Sequence, residues 1–398
     1  MLFEFDNLAE QKARLKVIGV GGAGGNAVNR MIQAGMYGVD FIVVNTDAQD
    51  LENNAAEHKI QIGKSLTKGL GAGARADIGR EAIEADGEAI RAMMEGADMV
   101  FITAGMGGGT GTGAAPLVAE MSREMDILTV GIVTLPFHFE GPKRMNRALS
   151  GLGELRKACD TVIAIPNQKL MSIVDHTTTV VEAFQLADSI LHQAAKGISD
   201  LINVHGLINL DFADVETIMK NMGEAIMGTG NASGEERAVL AAQQAISSPL
   251  LDSASISGAQ GVLVNITGGP DLTLMEVDEA TSIVFEEAGK DANIIFGAVI
   301  DPNMVEEIRV TVIATGFNQH LPVEEHLDTE EVEQLPRRKD ARVLTEQLNV
   351  PLHNQKGEKM PVVEPAPKSK TAFRFDETKP VIYGDDLEIP AFIRRQHK

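Results

Sequence analysis

The sequence predicts an α/β fold: a Rossmann-like domain with a parallel sheet, a long central helix, a smaller α+β domain and a disordered C-terminal tail. Three observations carry this. Short apolar runs, each followed by a glycine loop and then by helix-forming residues, recur through the first half, as buried strands feeding crossover helices do. A helical pattern from Thr179 to about Asn203 is unusually long, and from Asn318 prolines and dense charge replace apolar periodicity. The implied division is 1–11, a flexible N-terminal segment; 12–178, a ligand-binding domain; 179–205, a connecting helix; 206–317, the α+β domain; 318–384, a disordered linker; and 385–398, a terminal peptide.

With 398 residues, 44% of them apolar, the chain has room for two packed domains and a tail. Its 57 acidic residues against 35 Lys and Arg give a net charge of −22, which excludes a chain-wide nucleic-acid surface and disfavours anionic membranes. Any membrane role then needs an adaptor, with no direct insertion. Cys159 is the only cysteine, so no internal disulfide forms and a reducing compartment is expected. The acidic start Met1–Asp6 is unlike a basic signal peptide, and a cytoplasmic protein is expected.

In chain order, Leu15–Val20 reads as a first strand. Gly19-Val20-Gly21-Gly22-Ala23-Gly24-Gly25-Asn26 follows, and then a helix from near Ala27. Gly19, Gly21 and Gly24 fit Gly-x-Gly-x-x-Gly, and Phe41–Asp47 supplies a second strand ending in an acid, as a dinucleotide-binding unit would. A dinucleotide-dependent oxidoreductase is therefore a competing reading. A third loop, Lys68-Gly69-Leu70-Gly71-Ala72-Gly73-Ala74-Arg75, precedes a helix through Arg91 and is equally readable as a mobile linker. Three such loops suit one ligand with several phosphates, and Asp47 is placed to help hold a magnesium water shell.

The central unit is strand Met99–Met106, including Gly105, then Gly107-Gly108-Gly109-Thr110-Gly111-Thr112-Gly113, then a helix whose first turn tolerates Pro116. Unpaired N–H groups and the dipole at a helix start favour a phosphate, and glycines let backbone approach it closely. No Gly-Lys-Ser or Gly-Lys-Thr closes this loop, so it is not the common phosphate loop. Ile127–Thr134 is the next strand, and Pro136, Glu140 and Arg144 follow it, where open sheets place ligand contacts or a solvated ion pair forms. Strand Thr161–Ile165 stops at Pro166-Asn167.

Phe184 and Asp188, four apart, share a helix face. Spacing alone favours a core aromatic beside a solvated carboxylate. The alternative is base recognition, in which the ring stacks and the carboxylate accepts from guanine N1 and N2, positions where adenine repels it. Asp211 and Asp214 suit a helix N-cap and first turn equally well as a pair that polarises water. From Ala238 the pattern is helix to Ile246, strand Gly261–Thr267, helix Leu272–Ala288 and strands Ile294–Ile300 and Ile308–Ala314. The terminal peptide regains apolar residues: Asp385, Leu387, Ile389, Pro390, Phe392, Ile393, Arg394 and Arg395 suit a short helix that folds on a partner.

Gly108-Gly109-Thr110-Gly111-Thr112-Gly113 resembles the phosphate signature of the tubulin/FtsZ family. Agreement with its bacterial cell-division GTPases continues through Asn45–Asp47, Lys68–Gly73, Phe139–Gly141, Asn209–Val215, Ala232–Glu235 and Ile246–Leu251, over residues 12–317 and again at the carboxyl end. The resemblance implies a self-assembling GTPase that forms head-to-tail filaments with GTP or GDP and Mg2+, placed at the mid-cell division ring. It implies that Gly21, Gly22, Ala23, Gly24, Gly25, Asn26, Asp47, Gly71, Ala72, Gly73, Ala74 and Gly105 to Gly113 (Met106, Gly107, Gly108, Gly109, Thr110, Gly111, Thr112) surround one GTP. Pro136, Glu140 and Arg144 then face the nucleotide, and Asn167, Phe184 and Asp188 hold guanine. Asn209, Asp211 and Asp214 complete the GTPase site of the next subunit, and the terminal peptide meets membrane-linked division adaptors. A scaffold that binds nucleotide without hydrolysing it is the remaining alternative.

Overall fold

The computed structural model describes residues 12–175, 177–204, 206–208, 210–251 and 256–317. The expected catalytic Asn209, the N-terminal segment, the linker and the terminal peptide lie outside the described residues.

Strand β1 (Leu15–Val20) leads into α1 (Gly21–Gln33), and β2 (Val39–Asn45) into the short α2 (Ala48–Glu52). Then come β3 (His58–Gln61), α3 (Lys64–Thr67) and α4 (Ala76–Met94). β4 (Met99–Gly105) feeds α5 (Thr110–Glu124), β5 (Leu128–Leu135) feeds α6 (Pro142–Ala158), and β6 (Thr161–Pro166) runs into α7 (Asn167–Leu170). Helix α8 (Val180–Asn203) has 24 residues. The rest is α9 (Phe212–Met219), β7 (Gly223–Ser233), α10 (Arg237–Ile246), β8 (Gly261–Gly268), α11 (Leu274–Ala288), β9 (Asn293–Ile300) and β10 (Glu307–Thr315).

Among the described residues the strands form one sheet, ordered β3-β2-β1-β4-β5-β6-β7-β10-β8-β9. β3 to β7 pair in parallel, β10 is antiparallel to both neighbours, and β8 and β9 are parallel again. The chain winds outward from β1 in one direction and, from β4, in the other. That reversal opens a crevice beyond the carboxyl ends of β1 and β4, where open α/β sheets bind ligands.

Strand alternation sends neighbouring residues to opposite faces. Val17 and Phe101 are buried with Leu191, Ala194 and Ile198 of α8, whereas Ile18 and Ile102 are buried with Ile83, Ile90 and Val118 of α4 and α5. A third core joins α10 and α11 to β8 and β10 through Ala241, Val264, Val284 and Val312. Thr179 caps α8 reciprocally: its Oγ1 accepts from Glu182 N–H at 3.2 Å, and its own N–H donates to Glu182 at 2.6 Å.

Several expectations are corrected. Helix α1 begins at Gly21, not near Ala27, and α5 begins at Thr110, which puts Pro116 in its second turn. The reason is close packing: a Cβ on Gly24 would lie 2.4 Å from Thr103 O, and one on Gly113 1.9 Å from Ala76 O. These glycines are helical residues against neighbouring backbone, with no loop freedom. The segment from Pro142, read as a loop, is the start of α6, with Pro142 as its first residue. β7 had no counterpart in the strand pattern.

Candidate functional site

The crevice is a cavity of about 380 Å³, within the roughly 300–1,000 Å³ usual for small-molecule sites. Three glycine segments build its floor. A Cβ on Gly21 (φ +75°) would meet Gly111 N at 2.9 Å, and one on Gly109 would meet Gly73 O at 2.6 Å. First, central and third loops thus touch at backbone distance, which only glycine permits. At Gly108 a Cβ would meet nothing within 4 Å: the loop there is open, not crowded.

The third loop, readable from sequence as a linker, is stitched to the end of β2. Ala48 N–H donates to Gly69 O at 3.0 Å, Gly71 N–H donates to Thr46 O at 3.3 Å, and Asp47 bridges Leu70. Thr46 Oγ1 and Thr110 Oγ1 are 2.7 Å apart, which ties that edge to the start of α5.

Gly21, Gly22, Ala23, Asn26, Asp47, Gly71, Ala72, Gly73, Ala74, Gly105 through Gly111, Pro136, Glu140, Arg144, Asn167, Phe184 and Asp188 all line the cavity. Gly24, Gly25, Thr112 and Gly113 are buried behind its wall. Thr112 Oγ1 there accepts from Gly107 N–H at 2.8 Å and so braces the loop from behind. Asp211 and Asp214 are exposed at the start of α9 and are not among the lining residues, and Asp211 N–H donates to Asp214 Oδ2 at 3.3 Å.

The rest of the wall is aromatic and polar. Phe184 meets Phe137 edge to face, with centroids 5.4 Å apart. Asn167 is buried, and its Oδ1 has no partner among the described residues, although it belongs to the cavity wall. Such an atom is costly unless something in the cavity satisfies it. Asp188 opens onto the cavity while protein surrounds its carboxyl; burial pushes its pKa up to about 7, and Arg30 pulls it down. A buried carboxyl at a cavity wall is a natural acceptor for paired N–H donors.

Glu140 and Arg144 form an ion pair at 3.0 Å, one helical turn apart. Sequence reasoning missed other lining residues, chiefly Asn45, Asp50, Thr134 and Arg147. Arg147 carried a signal: it lies three residues beyond Arg144 on α6 and therefore on the same face. Asp47, just beyond the end of β2, and Asp50, in α2, are two further carboxylates of the wall. Asp47 Oδ1 accepts from Gln49 N–H at 3.1 Å and Asp50 Oδ2 from Asn45 Nδ2 at 3.4 Å. Among the described residues no cluster of three or more His, Cys, Asp or Glu forms a metal site, and no helix is long and apolar enough to cross a membrane. Cys159 is buried, and burial pushes its thiol far above the usual range.

Comparison with known proteins shows the family to which this fold belongs. Residues 14–175 match the GTPase domain of the tubulin/FtsZ family, and residues 223–318 match the FtsZ-family C-terminal domain. An empty FtsZ dimer from M. jannaschii is 46% identical, with TM-score 0.75 over 78% of this chain and 90% of that one. A point mutant of the M. jannaschii protein is 47% identical, with TM-score 0.74 over 77% and 92%. A GTPγS-bound CetZ2 protofilament from Haloferax volcanii, 22% identical with TM-score 0.64 over 76% and 92%, shares the fold. These findings overturn the dinucleotide reading of Gly19, Gly21 and Gly24. A Cβ on Gly19 would lie 2.6 Å from Gly24 O, so that glycine serves strand–helix packing. The chain belongs to the tubulin/FtsZ family, as a self-assembling cytoskeletal GTPase with an FtsZ-type C-terminal domain.

Proposed function

We propose that the cavity holds GTP with its phosphates on the glycine floor and its guanine between Asn167, Phe184 and Asp188. The observation that carries this is the buried Asn167 Oδ1, without a partner among the described residues, in one cavity with three converging glycine loops. Guanine offers N–H donors to Asn167 Oδ1 and Asp188, whereas the lone pair at adenine N1 faces a carboxylate, so the wall selects guanine by attraction and by repulsion. Asp47 and Asp50 would hold Mg2+ through water, a hard cation suited to oxygen ligands that neutralises phosphate charge.

Hydrolysis, in this reading, occurs between subunits of a head-to-tail filament. Asp211 and Asp214 are solvent-facing and away from their own cavity wall, which supports a role toward a neighbouring copy's GTP. There the two carboxylates, together with Asn209, act on the attacking water, which they orient and polarise. Residues 12–178 act as the nucleotide-binding part, 179–205 as the connector and 206–317 as the part that presents the acids. The assembly serves bacterial-type cell division in the cytoplasm, at a mid-cell ring, with residues 385–398 meeting membrane-linked adaptors.

Mixing tests this. Asp214→Ala should bind GTP and release almost no phosphate, and Gly108→Glu, which puts a carboxylate on the open part of the floor, should bind no GTP. Together they should regain activity, since one supplies the pocket and the other the acids. A mixture as inactive as its parts under polymerising conditions overturns catalysis between subunits.

A further inference from the structure

We propose that Arg147 is the cavity's phosphate-directed cation, a role that rests on the glycine floor being the phosphate site. Two arginines of α6 line the cavity and differ in what they are bound to. Arg144 faces Glu140 at 3.0 Å, so its charge is largely spent on a neighbouring carboxylate. Arg147 is half-buried, and among the described residues no carboxylate pairs with it; its Nε donates to Gly107 O at 3.1 Å.

That bond places the charge. Gly107 has φ +96°, and a Cβ there would lie 2.7 Å from Arg144 O, so the phosphate loop is pressed onto α6 at this point. Gly107 N–H is turned back to Thr112 Oγ1 at 2.8 Å, and Gly107 O is held by Arg147. Both polar groups of the residue are thereby engaged, and the two residues after it, Gly108 and Gly109, line the cavity. Nε uses one of five guanidinium N–H donors. The other four sit on a cavity-lining side chain beside the loop, in a chain of net charge −22 that otherwise repels a polyphosphate. An arginine so anchored loses little freedom when it takes up a phosphate oxygen.

The test separates charge from packing. Arg147→Lys keeps the charge, Arg147→Gln keeps a hydrogen-bond donor without it, and equilibrium affinities are measured for GTP, GDP and guanosine with each. We expect Arg147→Gln to bind GTP roughly 10- to 100-fold more weakly, GDP less affected than GTP, and guanosine unchanged within about threefold. Arg147→Lys should stay within about tenfold of the parent for GTP, and raising salt should narrow the gap between parent and Arg147→Gln. Equal losses for GTP and guanosine, or parental GTP affinity in Arg147→Gln, overturn the proposal while leaving the GTP site intact. A parent chain that binds guanosine as tightly as GTP removes the phosphate floor, and the proposal with it.

Discussion

Thr46 Oγ1 lies 2.7 Å from Thr110 Oγ1, a buried hydroxyl pair that joins the end of β2 to the first residue of α5. Thr67 Oγ1 donates to Thr46 O at 3.2 Å, which brings the segment before the third loop to the same point. Thr46 is wholly buried, whereas Thr110 also lines the cavity, so the two variants should part company. Thr110→Val strands a buried hydroxyl and strips one from the wall; it should destabilise the chain by about 1–3 kcal/mol and weaken GTP binding. Thr46→Val should cost similar stability but leave GTP affinity near the parent's. Denaturant melts of both singles and the double check this: the double should lose less than the sum, because it strands neither partner.

Asp188 and His192 are one turn apart on α8, and burial moves both pKa values against the charged form. Asp188 rises to about 7; His192, also pushed down by Lys196, Arg309 and Arg30, falls to about 4. The signs oppose. Between pH 3.8 and 7 the unfolded chain ionises Asp188 before the folded one does, so stability falls as pH rises. Between pH 4 and 6.5 the unfolded chain holds the histidine proton longer, so stability rises with pH. The effects are on the order of 4 kcal/mol for Asp188 and 3 kcal/mol for His192, and the two largely offset over their shared window. Asp188→Asn should make stability climb with pH across this range and His192→Leu should make it fall, both read as urea midpoints from about pH 4 to 8. If Asp188 accepts from guanine as a carboxylate, GTP affinity should also drop as pH falls from about 8 to 6, and Asp188→Asn should abolish that dependence.

Arg237 ties the starts of α10 and α11. Its Nε donates to Glu276 at 2.6 Å and its Nη1 to Asp271 at 2.5 Å, with the guanidinium itself almost fully buried. The guanidinium and the Thr273 cap hold Glu276 down to about 2. Arg237→Met, which removes both ion pairs while Asp271 stays solvated and Glu276 keeps the Thr273 cap, should cost about 1–2 kcal/mol in denaturant melts. The parent's own advantage from Glu276 should be complete above pH 4.5 and disappear as pH falls toward about 2, and Arg237→Met should flatten that acid limb.

Two glycines of the same glycine-rich run, one in the loop and one in α5, should respond oppositely to one added methyl. At Gly113 there is no room beside Ala76 O, so Gly113→Ala should cost several kcal/mol or prevent folding. At Gly108 the Cβ meets nothing, so Gly108→Ala should melt within about 0.5 kcal/mol of the parent. It should nonetheless bind GTP more weakly, since the methyl occupies the floor. Thermal melts with and without GTP separate the two effects.

The parallel half was legible because β1, β2, β4, β5 and β6 are mostly apolar on both faces and stop at or just before a punctuating glycine, asparagine or proline. β7 escaped because Gly223, Gly228 and Gly230 erase a strand's alternation; at Gly228 and Gly230 a Cβ would lie 2.0 Å from Ala245 O and Ala241 O of α10. There glycine records a helix lying on the strand, a fact only the third dimension supplies. In the cavity the glycine floor announced itself through composition. Asn45, Thr134 and Arg147 did not, because each is ordinary in its own element and matters only for what lies across the crevice.

The pairing of β6 with β7 has three rungs, Thr161–Gly223, Val162–Glu224 and Ile163–Ala225, the shortest ladder among the described strands. Side chains strap its flanks: Arg123, at the far end of α5 from the phosphate loop, donates to Asn221 Oδ1 at 3.1 Å, and Arg156 pairs with Glu224. The sheet is therefore a leaf spring with one narrow neck. Beside that neck, the tie from Arg123 to Asn221 fastens the segment before β7 to α5, whose opposite end begins at Thr110 in the crevice wall.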